Sequence, residues 1–154
     1  MNYQIQILED RKADMTTYDE QFLTRVFDSV IDPFTIYDRE FRIIKANQAL
    51  QDLFELPEEQ LIGRSCHEVF HQREVICDDC HVQEVFRTGE PRILEKCVPA
   101  PDGSERVFEV HSYPIKDHQG LVIRAVEHAR EITVRKRAEE ELGAINKRHR
   151  VMDC

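Results

Sequence analysis

The sequence has no long apolar run, no glycine-rich phosphate loop and no surplus of basic residues. Its first twenty residues contain five acidic side chains, so we expect neither a secretory signal nor a membrane span. Without a phosphate loop, a nucleophile elbow or a kinase signature, the common enzyme classes are poor candidates. The formal charge of −9 argues against a nucleic-acid partner, because a duplex binder needs a basic face. These absences favour a cytoplasmic protein that is not an enzyme.

The length of the chain supports one domain. Its 154 residues, 41% of them hydrophobic, suffice for one substantial core and are too few for two. The five cysteines are an odd number. In a reducing cytoplasm, cysteines are more often metal ligands, redox thiols or small core residues than disulfides. Cysteine chemistry is therefore the first candidate for function.

Residues 65–81 contain three of the five cysteines and three of the seven histidines. Thiolate and neutral imidazole are ligands that zinc and iron favour, and the pair Cys77 and Cys80 can grip one ion from a single turn. A metal needs about four ligands, so others must join this pair. The stretch therefore predicts a metal site. The further candidates are Cys66, His71, His67, His81 and the more distant Cys97.

Local geometry refines this set of candidates. If residues 66–71 form a short helix, Cys66 and Phe70 share one face, and His67 and His71 lie together on a neighbouring face. Asp78 or Asp79 would cap a helix beginning near Cys80, and the positive helix end would favour the Cys80 thiolate.

Cys97 belongs to a predicted strand whose alternation places it with Ile93 and Glu95 on one face. A core or surface position is the more common outcome for such a cysteine. If its side chain points inward, four cysteines become available and an iron-sulfur cluster becomes credible.

The periodicity of apolar residues, together with helix-breaking residues such as proline, predicts the order of helices and strands. An amphipathic helix is predicted from Thr17 to Val30 and ends before Asp32-Pro33, because proline disfavours the helical conformation in the residue before it. Residues 1–16 are predicted to be a flexible lead-in. The remaining predictions are strands over 34–37 and 41–44, helices over 46–54, 57–63 and 81–87, strands over 92–98, 106–113 and 121–127, and a charged helix from 131 to about 149.

Several motifs in this order resemble those of PAS sensor domains. They are residues 26–34 before the first strand, the asparagine motif Ile44-Lys45-Ala46-Asn47-Gln48-Ala49, Leu61-Ile62-Gly63-Arg64, Pro101-Asp102-Gly103, Tyr113-Pro114-Ile115-Lys116-Asp117, and the closing Arg130-Glu131-Ile132-Thr133 with its following helix. Glu131 stands where the family usually has aspartate. The resemblance implies an α+β fold with a five-stranded antiparallel sheet, short helices on one face, a PAS domain over 17–130 with an N-terminal flanking helix, and a C-terminal signalling helix over 131–154.

Within that family, the cysteine stretch resembles a subgroup with a Cys, a His five residues later, and a Cys-x-x-Cys pair. The matching residues are Cys66, His71, Cys77 and Cys80, and the resemblance implies that they are the metal ligands. His81 departs from the subgroup, where proline is common. This departure creates the sequence Cys77-Asp78-Asp79-Cys80-His81, which is also the attachment motif of c-type haem.

We therefore expect a cytoplasmic sensory module that binds zinc, or an iron-sulfur cluster as the second choice, with haem less favoured. By resemblance, the C-terminal helix passes the signal to a histidine kinase, cyclase or regulator, and the flanking helices form a homodimer. Two alternatives stay open. One is a thiol redox switch or enzyme using Cys77 and Cys80. The other is an organic-ligand or haem sensor whose pocket is lined by aromatic residues, the candidates being Phe34, Tyr37, Phe41, Phe54 and Phe108, for which core packing is the default.

Overall fold

A five-stranded antiparallel sheet in the order β2-β1-β5-β4-β3 forms the body of the domain. The computed structural model describes residues 19–99 and 102–152, so the lead-in predicted for residues 1–16 lies outside the described part. The sheet and helices confirm the predicted fold class. The elements are α1 (19–29), β1 (Phe34–Tyr37), β2 (Ile43–Ala46), α2 (Gln48–Phe54), α3 (Glu58–Leu61), α4 (Cys66–His71), α5 (His81–Thr88), β3 (Arg92–Pro99), β4 (Glu105–Lys116), β5 (Val122–Glu131) and α6 (Thr133–Met152).

The turn between β1 and β2 explains why β2 begins two residues later than predicted. Phe41 adopts a left-handed conformation with φ 62°, which ends the extended run before Ile43. The Asp38 carboxylate accepts hydrogen bonds from the backbone N–H groups of Glu40 and Arg42, each at 2.9 Å. The side chain of Asp38 thus holds the turn, as aspartate commonly does.

The long strands β4 and β5 extend beyond the predicted runs and pair continuously from Phe108 opposite Glu131 to Pro114 opposite Ala125. Alternation along β4 buries Phe108, Val110 and Ser112 on one face, which we call the inner face. The helices α2 to α5 cover this inner face. The core between them includes Tyr37, Ile43, Leu61, Val82 and Val85, each at most 2% exposed.

Asn47 connects the segment between α1 and β1 to the start of α2 through side-chain hydrogen bonds. Its side-chain oxygen accepts from the backbone N–H of Leu50 at 3.1 Å and of Phe34 at 2.9 Å. Its amide nitrogen donates to the carbonyls of Val30 and Asp32, both at 3.0 Å. A fully buried polar side chain with all these bonds fixes the chain before and after β1 together.

The exit from β5 is fixed to β4 at one residue. The backbone N–H of Ile132 donates to the Val107 carbonyl at 2.8 Å. Thr133 Oγ1 accepts from the Val107 N–H at 3.0 Å and donates to Glu131 at 2.8 Å. Glu131 therefore makes a contact with Thr133 although it replaces the usual aspartate, and α6 begins at Thr133 instead of residue 131.

The flanking helices leave much of their apolar surface uncovered. Phe27 of α1 packs against Phe34 of β1 with ring centroids 5.2 Å apart, but Phe22, Leu23 and Val26 are exposed. Leu142 and Ile145 of α6 are also exposed. Among the described residues, α6 and the other helices lack the combination of length and apolar character that crossing a membrane requires.

Candidate functional site: a cavity lined by thiols and imidazoles

A cavity of about 560 Å³ lies between the inner face of the sheet and the wall formed by α4, α5 and the loop that joins them. Its lining brings together residues that are far apart in sequence. All four predicted ligands border it, together with His81. Three of the predicted pocket aromatics, Tyr37, Phe54 and Phe108, also line the cavity.

Cys66 lies in the first turn of α4 and is 7% exposed. The start of α4 is held by Glu68, whose carboxylate accepts a hydrogen bond from the Ser65 N–H at 3.4 Å. Burial raises the pKa of the Cys66 thiol to about 12, and the nearby Cys80 and Glu127 act in the same direction. Without a cation, this sulfur is therefore a protonated thiol at neutral pH.

The two histidines of α4 differ in whether they border the cavity. His71 borders the cavity with Cys66 and Phe70, whereas His67 is not part of the lining. His71 is the last residue of α4, and Gln72 then turns away in a left-handed conformation with φ 50°. Partial desolvation at the edge of the cavity, and then the charge of Lys96, lowers the pKa of His71 although the residue as a whole is exposed. The His67 Nδ1 atom is buried and finds no hydrogen-bond partner among the described residues.

The prediction that Asp78 or Asp79 caps α5 is wrong. Cys80 itself is the N-cap, and its sulfur accepts a hydrogen bond from the Gln83 N–H at 3.4 Å. Both aspartates are exposed, and Asp78 lies 3.9 Å from Arg73. The expected lowering of the Cys80 pKa is also reversed, because burial raises this pKa and outweighs the backbone hydrogen bonds from Gln83 and Val82.

Cys97 lies on the side of β3 that faces away from the helices. It pairs opposite Val107, and its side chain is exposed. Cys97 is among the residues that border the cavity, as are its neighbours Lys96 and Val98. Those two are half-buried whereas Cys97 is exposed, so alternation directs the Cys97 side chain to the outer face with Ile93 and Glu95. The condition for a four-cysteine site, an inward Cys97, is not met in this arrangement.

Sequence reasoning missed Glu127. Its carboxylate lies 2.5 Å from His81 Nε2, and the two side chains are 18% and 8% exposed. Burial acts to raise the pKa of Glu127, but the hydrogen bond from His81 and the charge of Lys96 together lower it. The available signal was alternation along the predicted strand 121–127, which places Glu127 on the same face as Ala125.

The donors surround the cavity without converging on one point. Among residues 19–99 and 102–152, no three His, Cys, Asp or Glu side chains are grouped closely enough to hold a metal ion. Binding of an ion would therefore require movement of side chains and of the loop between α4 and α5, whose residues 72–75 are exposed. As for the haem attachment motif, the Nε2 atom of His81 is already engaged by Glu127.

An antiparallel sheet covered by short helices, with a ligand-sized cavity between the two layers, defines an α+β domain with a candidate small-molecule site. Residues 27–137 match the family model described as PAS fold, and the chain belongs to this family. The family match does not distinguish the cysteine-rich subgroup, which stays a prediction.

Comparison with individual proteins agrees with this assignment. The chain is 27% identical over 142 residues to the methanogenesis regulatory histidine kinase FilI of Methanothrix harundinacea, covering 92% of this chain but only 16% of that protein. Its fold resembles the PAS domain of an HTR-like protein from Haloarcula marismortui, with TM-score 0.60 and 21% identity over 80% of this chain and 99% of that one. It also resembles an RNA-binding light-oxygen-voltage receptor, with TM-score 0.67 and 18% identity over 88% of this chain and 39% of that one.

Proposed function

We propose that the chain is the sensory domain of a histidine-kinase-type signalling protein and that its cavity binds a zinc ion. The ligands are Cys66, Cys77, Cys80 and one histidine of the cavity. The observation that carries this proposal is that three thiols and two imidazoles, from α4, the following loop and α5, border one cavity. Three sulfurs and one nitrogen form a donor set that suits tetrahedral zinc.

The chemistry of the thiols fits a cation. The pKa of Cys66 is raised by burial and also by Cys80 and Cys77, so the three sulfurs are close enough to disfavour one another's ionisation. A divalent cation removes this penalty and stabilises the thiolates. Bound zinc would supply charge and a covalent clamp between α4, the loop and α5. It would thus make the wall of the cavity sensitive to the metal or to oxidation of the sulfurs.

The structure offers a route from this wall to α6. α5 starts at the N-cap Cys80 and packs on β4 and β5. β5 ends at Glu131, and the next two residues are both hydrogen-bonded to Val107 of β4. The Ile132 N–H donates to the Val107 carbonyl, and the Thr133 hydroxyl accepts from the Val107 N–H and donates to Glu131. A shift of α5 against the sheet would therefore change the packing of β5 and the direction of α6.

The output is proposed from the relative and from exposed surfaces. The histidine kinase that this chain resembles is about six times longer, so a kinase region in the same or another chain would receive the signal. The uncovered apolar residues Phe22, Leu23 and Leu142 of the flanking helices support a homodimer. The four described cysteines are free thiols, which supports a reducing, cytoplasmic location.

A small organic ligand is the second candidate, and the volume of the cavity favours it. About 560 Å³ is within the range of small-molecule sites and far exceeds the space of one ion. The apolar wall and the few inward polar groups, Lys96, His81 and Glu127, are typical of such sites.

Metal analysis of protein purified without oxygen tests the proposal. We expect about one zinc per chain and no visible colour, with zinc lost in Cys66→Ser. The matched control is Cys97→Ser, which changes a cysteine on the outer face and should retain zinc.

Other outcomes have distinct meanings. Bound iron with broad absorption that air bleaches would mean that the cofactor is an iron-sulfur cluster and not zinc. A Soret band would indicate haem. Protein that binds no metal, even after zinc is added to the reduced form, would refute the metal site and favour the organic ligand or the thiol switch.

A further inference from the structure

Two histidines line the cavity, and they differ in how firmly their rings are held. His81 is 8% exposed, and its Nε2 atom lies 2.5 Å from the carboxylate of Glu127. His71 is exposed at the end of a six-residue helix, and its ring makes no side-chain hydrogen bond to another described residue. Only the His81 ring is therefore fixed in orientation.

A carboxylate hydrogen-bonded to one ring nitrogen is the usual support of a metal-binding histidine. The carboxylate receives the N–H, fixes the tautomer and leaves the lone pair of the other nitrogen for the metal. Here the supported atom is Nε2, so Nδ1 of His81 is the donor atom that remains.

His81 is also placed next to a proposed ligand. It follows Cys80, whose sulfur is held at the start of α5 by the Gln83 N–H. Glu127 lies on the central strand β5 and so anchors the His81 ring to the sheet. Cys80 and His81 are thus the two candidate donors with defined partners.

We propose that His81, through Nδ1, is the histidine ligand of the metal held by Cys66, Cys77 and Cys80, and that Glu127 is its positioning residue. This inference rests on the proposed metal site and replaces His71, which the family pattern implies. It also links the metal to β5 through one side-chain contact, because a ligand bound to the ion would be hydrogen-bonded to Glu127.

Zinc affinity, measured by competition with a chromophoric chelator, separates the two histidines. We expect His81→Gln to raise the zinc Kd by roughly 100-fold or more and Glu127→Gln, a positioning variant, by about 10- to 100-fold. The matched control His71→Gln should stay within about threefold of the wild type, since it removes an imidazole without a supporting carboxylate.

A measurement on the unchanged protein covers the case in which a variant fails to fold. In ¹⁵N-histidine NMR of the zinc-loaded wild type, we expect the Nδ1 atom of His81 to carry the metal and its Nε2 atom to carry hydrogen. Signals showing His71 as the ligated ring, or a Kd changed by His71→Gln and not by His81→Gln, would overturn the inference.

If Cys66→Ser abolishes zinc binding while both His81→Gln and Glu127→Gln retain it, the metal site stands and His81 is not its ligand. If reduced wild-type protein binds no zinc, both the site and the ligand assignment fail.

Discussion

The two faces of the sheet carry the same chemical pair, a histidine with a carboxylate, in different surroundings. On the inner face, His81 and Glu127 meet at 2.5 Å. On the outer face, His128 Nε2 lies 2.9 Å from Asp32, and His111 Nε2 lies 2.9 Å from Glu109. The outer rings face each other across β4 and β5, with centroids 5.9 Å apart. The comparison shows how burial changes the consequence of one contact.

The outer carboxylates each pair with an arginine as well, whereas Glu127 has no arginine partner within residues 19–99 and 102–152 and receives only the charge of Lys96 besides His81. Asp32 also accepts from Arg130 at 3.2 Å, and Glu109 from Arg135 at 3.2 Å. The outer histidine and carboxylate side chains are 20% to 27% exposed, against 8% and 18% for His81 and Glu127. Removing one partner on the inner face therefore leaves a poorly hydrated charge, whereas the outer charges keep both water and arginine.

Breaking the inner pair, His81 and Glu127, should lower the stability of the fold more than the other changes considered below. His81→Leu keeps a side chain of similar size but leaves the Glu127 carboxylate without its donor. We expect the free energy of unfolding, measured with urea on metal-free protein, to fall by about 3 kcal/mol. His118→Leu, at an exposed turn position, should change it by less than about 0.5 kcal/mol. Equal losses of unfolding free energy in both variants would mean that the inner pair stabilises the fold no more than an exposed side chain does.

Thr133→Val tests the junction where β5 leaves the sheet. The change removes an acceptor from the Val107 N–H and a donor to Glu131 at a site 8% exposed. We expect a loss of about 1 to 2 kcal/mol, since the N–H of the half-buried Val107 is left without its partner. Thr133→Ser, which retains the hydroxyl, is the control, and hydrogen exchange of the Val107 N–H should rise only in the valine variant.

Asp32→Asn breaks an outer pair and should have a smaller effect. The asparagine still accepts hydrogen bonds from His128 and Arg130 but carries no charge. We expect a loss of about 0.5 kcal/mol at low ionic strength, and less in high salt, because exposed ion pairs contribute little and are screened. A loss as large as that of His81→Leu would remove the distinction between the two faces.

The smallest expected effect is a pH dependence of the outer network. Burial acts to raise the pKa of Asp32, but hydrogen bonds from His128 and Arg130 lower it overall, and hydrogen bonds from His111 and Arg135 lower the pKa of Glu109. A carboxyl whose folded pKa is depressed stabilises the fold at neutral pH, and this contribution is lost as pH falls through the folded pKa.

The lowered pKa of Glu109 sets the pH range in which its contribution to stability should disappear. The difference in unfolding free energy between the wild type and Glu109→Gln should be constant from about pH 7 to about 5. It should shrink below about pH 4, where the Glu109 carboxyl is protonated and the two proteins are both uncharged at this position. Glu59→Gln, an exposed change on α3, is the control and should run parallel to the wild type. A difference that grows on acidification would contradict the assignment.

Local chemistry made most of the fold predictable. The helices predicted over 57–63 and 81–87 are found as α3 and α5, with Pro57 as the N-cap of α3 and Gly89, at φ 68°, as the C-cap of α5. Alternation placed Cys97 with Ile93 and Glu95, and that grouping depends only on the pleat of β3. Such features follow from neighbours in sequence, so a single sequence contains them.

The site was less predictable because its contacts are distant in the chain. His81 and Glu127 are 46 positions apart, and their meeting depends on how α5 packs across β5. The capping role of Cys80 was missed because a thiol is not among the preferred N-cap residues, whereas Asp78 and Asp79 are. Burial, a property of the whole fold, also reversed the expected direction of the Cys80 pKa.

The attachment of α6 to Val107 limits how this helix can move relative to the sheet. Both backbone groups of this single residue are engaged at the exit, the carbonyl by Ile132 and the N–H by Thr133. The base of α6 therefore has a pivot that resists translation and permits a change in tilt. A helix of 20 residues is about 30 Å long, so a tilt of about 5° moves its far end by roughly 2.5 Å. The helix would act as a lever, enlarging a small repacking beneath the sheet into a displacement that a partner surface can detect.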